Sequence, residues 1–282
     1  MPGRIGAGRI LRFYRRKSLP KEFKAAASLI LDEEKEWRRI MAQDSENVLT
    51  VYLDVKSPHA YLAVRPSLMV ARDYRVKLDV KPYTLDYVAI GVSKRVDSDM
   101  RRRPANAAAD RKARMYYAAA RQYAALQGLP FRSPHRLLDS TAVHKACLFA
   151  EQQEQAVPFL MRVYLQGWGS GWRDYEVESL DQLRLTLKEA EVSLTNFDKF
   201  MAPDGMGDVG LAACNAAAES TGATGVPHYV FDDPATGRTL GLFGREHLAF
   251  IREKFHVAGL ARCPDVEPAF SHAWRGPMVV QT

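Results

Sequence analysis

The sequence predicts an α/β fold in which a mixed β-sheet is interrupted by a block of helices. Three observations predict it. A strand, a helix and a second strand follow one another from residue 48 to about residue 82. Helical periodicity then dominates as far as residue 221. Two strands and a helix close the pattern just before Gly259. The 282 residues suit one large domain, or a domain with a sizeable insertion, and can bury a substantial core.

The first strand is "VLTVYLDVK", residues 48–56. Leu49, Val51, Leu53 and Val55 alternate onto one face. Ser57 then offers an N-cap oxygen, and Pro58 suits the first helical position. A helix through "HAYLAVRPSLMVARDY" follows, with Pro66 expected to kink or restart it. "YRVKLDVKPY" alternates at Val76, Leu78 and Val80, so a second strand follows, and a right-handed parallel βαβ unit is expected.

"RKARMYYAAARQYAALQG" reads as a long helix stopped by Gly128 and Pro130. "STAVHKACLFAEQQEQA", "PFLMRVYLQGW", "SLDQLRLTLKEAEVS" and the end of "DGMGDVGLAACNAAAEST" read as further helices. "GWGSGW", residues 167–172, reads as a loop or a flexible lid. "GVPHYVF" is then a strand opened by a proline, "DDPATGR" a turn, "TLGLFG" a second strand and "REHLAFIREKF" a closing helix.

These pieces divide the chain into a basic extension (1–47), a βαβ part (48–90), an inserted helical subdomain (91–222), a ββα part (223–258) and a Pro-rich tail (259–282). A βαβ half and a ββα half can share one mixed sheet. That arrangement is thioredoxin-like.

Composition bounds the function. Hydrophobic residues make up 47% and charged residues 26%, as in ordinary globular proteins. No apolar run is long enough to cross a bilayer, and the N-terminus lacks the uninterrupted apolar segment of a secretory signal. Cys147, Cys214 and Cys263 form no CxxC and no metal-ligand spacing, which points to a reducing compartment, most simply the cytoplasm. Much of the net charge of +7 is local: Arg4, Arg9, Arg12, Arg15, Arg16, Lys17, Lys21 and Lys24 stand against Glu22 alone. Nucleic acid is therefore not the expected partner of the whole protein, although the arm can touch an acidic surface. Residues 21–43 carry helical periodicity. They read as a helix packed on the domain or on a second subunit, with a membrane-surface or organelle-targeting role as the alternative.

"YLDVKSPHAYLA" at 52–63 resembles the signature of the kappa-class glutathione transferases and 2-hydroxychromene-2-carboxylate isomerases, in the DsbA-like branch of the thioredoxin superfamily. "TGATGVPHYVF" followed by "TLGLFGREHLAFI" resembles that family's Gly-Val-Pro strand, hairpin and last helix, and "GLPFRSP" at 128–134 also fits. The resemblance spans about residues 48–256. The chain departs from the family pattern at Ala119, Gln122, Phe243 and the triplet Arg245, Glu246 and His247, which bears on substrate more than on fold.

The resemblance implies glutathione as cofactor, a small electrophilic or aromatic ketoacid substrate, and a homodimer. Ser57 sits where a thiol-redox protein carries cysteine, and Ala60 occupies the second cysteine position, so dithiol oxidoreduction is disfavoured. At a helix N-terminus Ser57 can donate to a thiolate and lower the thiol pKa. Its competing role is that of a cap alone. His59 can add a donor or positive charge, or be a packed helix histidine. By resemblance Pro227 carries a cis bond, and the backbone of Val226 pairs with the cysteinyl part of glutathione. Arg245 and Glu246 would hold the γ-glutamyl zwitterion, unless they form only a solvated first turn. Lys81, Lys112, the Arg101–Arg103 run and His228 are weaker substrate-binding candidates. The resulting expectation is a glutathione-dependent isomerase, with a transferase next and a non-catalytic binding module as the rival from another class.

Overall fold

The computed structural model describes residues 40, 45–86 and 107–270. The basic arm and the Arg101–Arg103 run lie outside them. A four-stranded sheet forms the centre, in the order β2-β1-β3-β4. Strand β1 (Val48–Leu53) pairs parallel with β2 (Lys77–Pro82), Leu49 beside Leu78 and Leu53 beside Pro82. Strand β3 (His228–Asp232) lies antiparallel to β1 on its other side and continues as a hairpin into β4 (Thr239–Phe243). The two halves of the chain therefore share one mixed sheet.

Strand β1 stops at Leu53, earlier than its alternation predicts. Residues 54–57 form a turn closed by the Ser57 N–H donating to the Asp54 carbonyl at 3.0 Å. The helix is interrupted and restarts, as Pro66 leads one to expect, giving α1 (Pro58–Tyr61) and α2 (Val64–Asp73). Pro66 is the cause: its ring has no N–H for the carbonyl four residues back and crowds it. That carbonyl belongs to Leu62, where α1 ends. It is satisfied from elsewhere, by the Gln127 side-chain amide at 3.0 Å.

Between β2 and β3 stand α3 (Ala107–Leu126), α4 (Thr141–Glu151), α5 (Ala156–Ser170), α6 (Leu180–Glu189), α7 (Phe197–Met201) and α8 (Met206–Ser220). Helices α4 and α8 pack together and against β2. A turn of 3-10 helix (Arg245–His247) leads into α9 (Leu248–Val257). Helices α2 and α9 cover the sheet face bearing Leu49, Leu78 and Phe231; the Phe255 ring meets those of Tyr74 and Phe231. The opposite face carries Tyr52, Lys81 and His228 side by side.

The segment "GWGSGW" is neither loop nor lid. Its first four residues complete α5, and Gly171 at φ 65° caps the helix. At Gly167 a β-carbon would lie 2.5 Å from the Trp172 ring, so only glycine admits that ring. Beyond Gly259 the chain folds back. Tyr74 bridges to Ala261, and Arg252 pairs with Asp73 at 2.7 Å while donating to the Glu267 and Pro268 carbonyls. Among the described residues no helix is long and apolar enough to cross a membrane.

Candidate active site

The site begins where β1 ends. The Asp54 carboxylate is fully buried beneath the turn. It accepts the N–H groups of Lys56 at 3.1 Å and Leu85 at 2.8 Å, and it faces His144 Nε2 at 3.4 Å and Lys56 Nζ at 3.5 Å. Burial alone would raise the Asp54 pKa, but His144 and then Lys56 outweigh it and hold the carboxyl below its usual range. His144 is held in turn by Thr84 Oγ1 at 2.7 Å. From the other side Trp168 Nε1 donates to the Val55 carbonyl at 3.1 Å, and the Tyr164 hydroxyl to that of Asp54 at 3.3 Å. The turn carrying Ser57 is thus fixed by an ionic group below and by α5 beside it.

Ser57 is buried, and its Oγ accepts the Ala60 N–H at 3.3 Å as the N-cap of α1. The same oxygen lies 3.5 Å from the Val226 carbonyl, its proton directed there. The cap and the site geometry coexist: one oxygen accepts from the helix while its proton remains available to an acceptor in front. The Val226–Pro227 bond is cis. The Gly244 N–H donates to the Pro227 carbonyl at 2.9 Å. Gly244 sits at φ 121°, a conformation closed to other residues, and this turns the chain into the Arg245 segment.

Arg245 and Glu246 diverge. Arg245 is only 5% exposed, its guanidinium 4.2 Å from the centre of the Tyr123 ring, and its Nη1 is buried with no hydrogen-bond partner. Glu246 is exposed. The pair is therefore not a solvated first turn, nor do both side chains open outward as a zwitterion clamp would. Gly244 turns the chain so that consecutive side chains leave in different directions.

His59 stands two residues after Ser57, within reach of the Arg245 and Glu246 charges. The Tyr116 ring meets it edge-on at 5.7 Å, and its Nε2 is buried without a partner. Burial, and after it the Arg245 charge, lower the His59 pKa below 6.5. His59 is neutral at neutral pH, so it supplies a donor or an acceptor rather than positive charge. Lys112 is at the rim, exposed, 5.8 Å from the Tyr116 ring centre.

Lys81 and His228 are elsewhere. Residues 228 and 229 point to opposite sheet faces because strand side chains alternate. Tyr229 goes to Ser67 at 3.1 Å, and His228 to Thr221 at 3.0 Å. Lys81 shares the His228 face and pairs with Asp79 and Glu151. Burial would lower its pKa, but Glu151 and Asp79 together hold it above the usual range. Both side chains are engaged by these partners rather than by Ser57.

The thiols do not enter the site. Cys147 is buried, and burial pushes its pKa up; burial also raises that of half-buried Cys214. Among the described residues no group of three or more His, Cys, Asp or Glu is placed to hold a metal ion.

A mixed sheet of this order, with the proline-led strand β3 facing Ser57 at the start of α1, defines a thioredoxin-like protein. Residues 48–256 match the model of the DSBA-like thioredoxin domain, and the chain belongs to that family. Solved structures share the fold. A 2-hydroxychromene-2-carboxylate isomerase aligns with TM-score 0.57 at 21% identity, over 74% of this chain and 95% of its own. A probable DsbA oxidoreductase from Streptomyces coelicolor aligns with TM-score 0.58 at 17% identity, over 79% and 94%. The cytosolic disulfide reductase DsbM from Pseudomonas aeruginosa aligns with TM-score 0.51 at 16% identity, over 74% and 99%. Comparison with curated proteins finds no match.

Sequence reasoning missed Asp54, Lys56 and His144 as one group, Trp168 as a prop, and Tyr116 with Tyr123 as a cover. Asp54 and Lys56 flank the Ser57 motif and were legible as charges beside it. His144 and Trp168 lie about ninety to one hundred and ten residues away, and no local pattern links them to it.

Proposed function

We propose that this protein is a glutathione-dependent isomerase of the 2-hydroxychromene-2-carboxylate type. The observation that carries the reading is the position of Ser57. Its hydroxyl proton faces the Val226 carbonyl 3.5 Å away, at a corner with no cysteine. A thiol from outside would take the place in front of that hydroxyl. Ser57 would donate to the thiolate and lower its pKa, because a hydrogen bond to the charged form favours it. The Val226 backbone would pair with the cysteinyl unit in the manner of an added strand. Exposed Glu246 would face the α-amine.

The thiolate adds to an electrophilic carbon of an unsaturated ketoacid. The adduct permits rotation or ring opening, and elimination returns the thiolate, so no net oxidation occurs and glutathione is regenerated. Neutral His59 can move a proton to or from the adduct. A kappa-like transferase would use the same corner and release the thioether instead.

The test is calorimetric titration of glutathione, followed by ultraviolet absorbance of the bound thiolate against pH, for the wild type and Ser57→Ala. Binding with a lowered thiol pKa that Ser57→Ala raises supports the reading. No binding at millimolar glutathione sinks it and favours a thioredoxin-like binding module. Product analysis with an unsaturated ketoacid then separates isomer from thioether.

A further inference from the structure

A cavity of about 390 Å³ lies in the inserted helices, between the C-terminal end of α5 and the start of α6. That volume is within the range of small-molecule sites. None of its lining residues belongs to the Ser57 corner. Apart from Trp172 and Ser179, every lining side chain is charged or a histidine.

Trp172 gives this cavity an unmet donor. The residue is 2% exposed, yet its indole Nε1 has no hydrogen-bond partner. Buried polar atoms are nearly always satisfied. The benzo edge of the indole is set against Gly167, with Cη2 2.5 Å from where a β-carbon would stand. The pyrrole edge bearing Nε1 is thereby left for the cavity that Trp172 lines. The backbone of Trp172 is left-handed, at φ 60°, which a bulky residue rarely adopts. An indole N–H only donates, so an acceptor is what the place lacks.

The surrounding charges favour an anion. Arg136 is taken by Glu178, which it grips through both terminal nitrogens. Arg173 is exposed and uses only Nη1, on the Gly171 carbonyl at 3.2 Å and that of Ser170 at 3.5 Å. Its other nitrogens have no partner among the described residues. Arg121 of α3 reaches Ser133 Oγ at 3.4 Å, and among the described residues no carboxylate pairs with it. A β-carbon on Gly171 would strike both Arg173 Nη1 and the Ser133 carbonyl oxygen, so the two arginine-bearing segments meet there. His135 donates from Nδ1 to the Gly171 carbonyl at 3.2 Å, because a carbonyl only accepts, and its Nε2 stays open. Ser179 caps α6, so the positive end of that helix adjoins the cavity. Asp181 in the same turn is held by Arg184. Glu176 is the lining carboxylate that no cation holds among the described residues, and it calls for a hydroxyl on the ligand.

We propose that this cavity binds the phosphate of a small polyol monoester, such as a sugar phosphate. The phosphate oxygens accept from Trp172 Nε1, from Arg173 and from the start of α6. A hydroxyl on the body of the ligand donates to Glu176. These donors come from separate segments, which suits a tetrahedral group with three acceptor oxygens better than a planar carboxylate. The site depends neither on the Ser57 corner nor on glutathione.

The test uses the full chain and calorimetric titration with glucose 6-phosphate, glucose and inorganic phosphate. Glucose 6-phosphate should bind the wild type, and glucose at least about tenfold more weakly. Arg173→Gln should weaken the phosphate ester at least about tenfold. Trp172→Phe, which keeps an aromatic ring and removes the donor, should weaken it about threefold to tenfold. Arg121→Gln breaks no ion pair among the described residues, so it should leave the unfolding midpoint unchanged while weakening the ester. Inorganic phosphate binding as tightly as the ester assigns the cavity to free phosphate. Tighter binding of the ester assigns it to the phosphorylated polyol, and both outcomes support a phosphate site. Saturating glutathione and Ser57→Ala should leave the affinity unchanged. Displacement by glutathione would put the phosphate at the Ser57 corner and overturn the proposal. So would no binding of either phosphate at millimolar concentration, or wild-type affinity in both Arg173→Gln and Arg121→Gln.

Discussion

The indole N–H of Trp168 donates to the carbonyl of Val55 at 3.1 Å, two residues before Ser57. That bond ties the inserted helices to the turn on which the site is built. Trp168 is fully buried and stacks on Phe131 at 5.1 Å and on Tyr61 at 6.3 Å. Trp168→Phe keeps a ring there but leaves the carbonyl unpaired. The expected loss is about 1–3 kcal/mol of stability, read from the urea midpoint, together with weaker glutathione binding. A variant with unchanged affinity would show that the prop does not position Ser57.

Asp54 is the counter-charge of a buried group. Asp54→Ala leaves Lys56 buried without it and frees the Lys56 and Leu85 N–H groups. Breaking one partner of a buried pair costs about 3–5 kcal/mol. Equilibrium denaturation should register a loss of that order, larger than for Trp168→Phe.

Ser57→Ala removes a cap and a thiolate donor together. The cap is worth about 1 kcal/mol, so the fold should survive. The bound thiol pKa should rise by about one unit or more, and turnover at neutral pH should fall at least about tenfold with it. Equal proportional losses in stability and activity would reduce Ser57 to a cap.

Acid should weaken the fold in two stages. Burial holds the folded pKa of His59 and of His228 below 6.5, with Arg245 adding to the effect at His59. As pH falls through 6.5 the unfolded chain takes up protons that the folded chain refuses, so stability declines. Asp54 titrates below its ordinary value for a different reason, its interactions with His144 and Lys56 overcoming its burial. Its contribution is present above about pH 4 and is lost below it. Urea midpoints measured from pH 7.5 down to pH 3 should fall in both windows. His59→Gln should flatten only the first.

The order of elements was legible because hydrophobic periodicity is a local signal. Strands β1 to β4, the closing helix and the Ser57–Pro58 corner could all be read in this way. Errors arose where a non-local partner decided. "GWGSGW" looked like a loop from its glycines, yet those glycines admit the Trp172 ring and end a helix. Lys81 and His228 looked available, yet strand alternation and the inserted helices direct them to Glu151 and Thr221.

The sequence by itself determined that the corner holds serine and alanine in place of two thiols, that a proline leads the returning strand, and that helices separate the two. These are facts of identity and spacing, which the chain carries wherever it folds. Only the tertiary structure decided what meets at that corner. The antiparallel placement of β3 beside β1 brings Val226 to Ser57 across 169 residues. The turn at Gly244 sends Arg245 inward to Tyr123, and packing of α4 and α5 brings His144 and Trp168 beneath and beside the turn. Convergence depends on sheet order and on which face of each helix is buried. Both are set by the free energy of packing the whole chain, and no short stretch of residues contains that information.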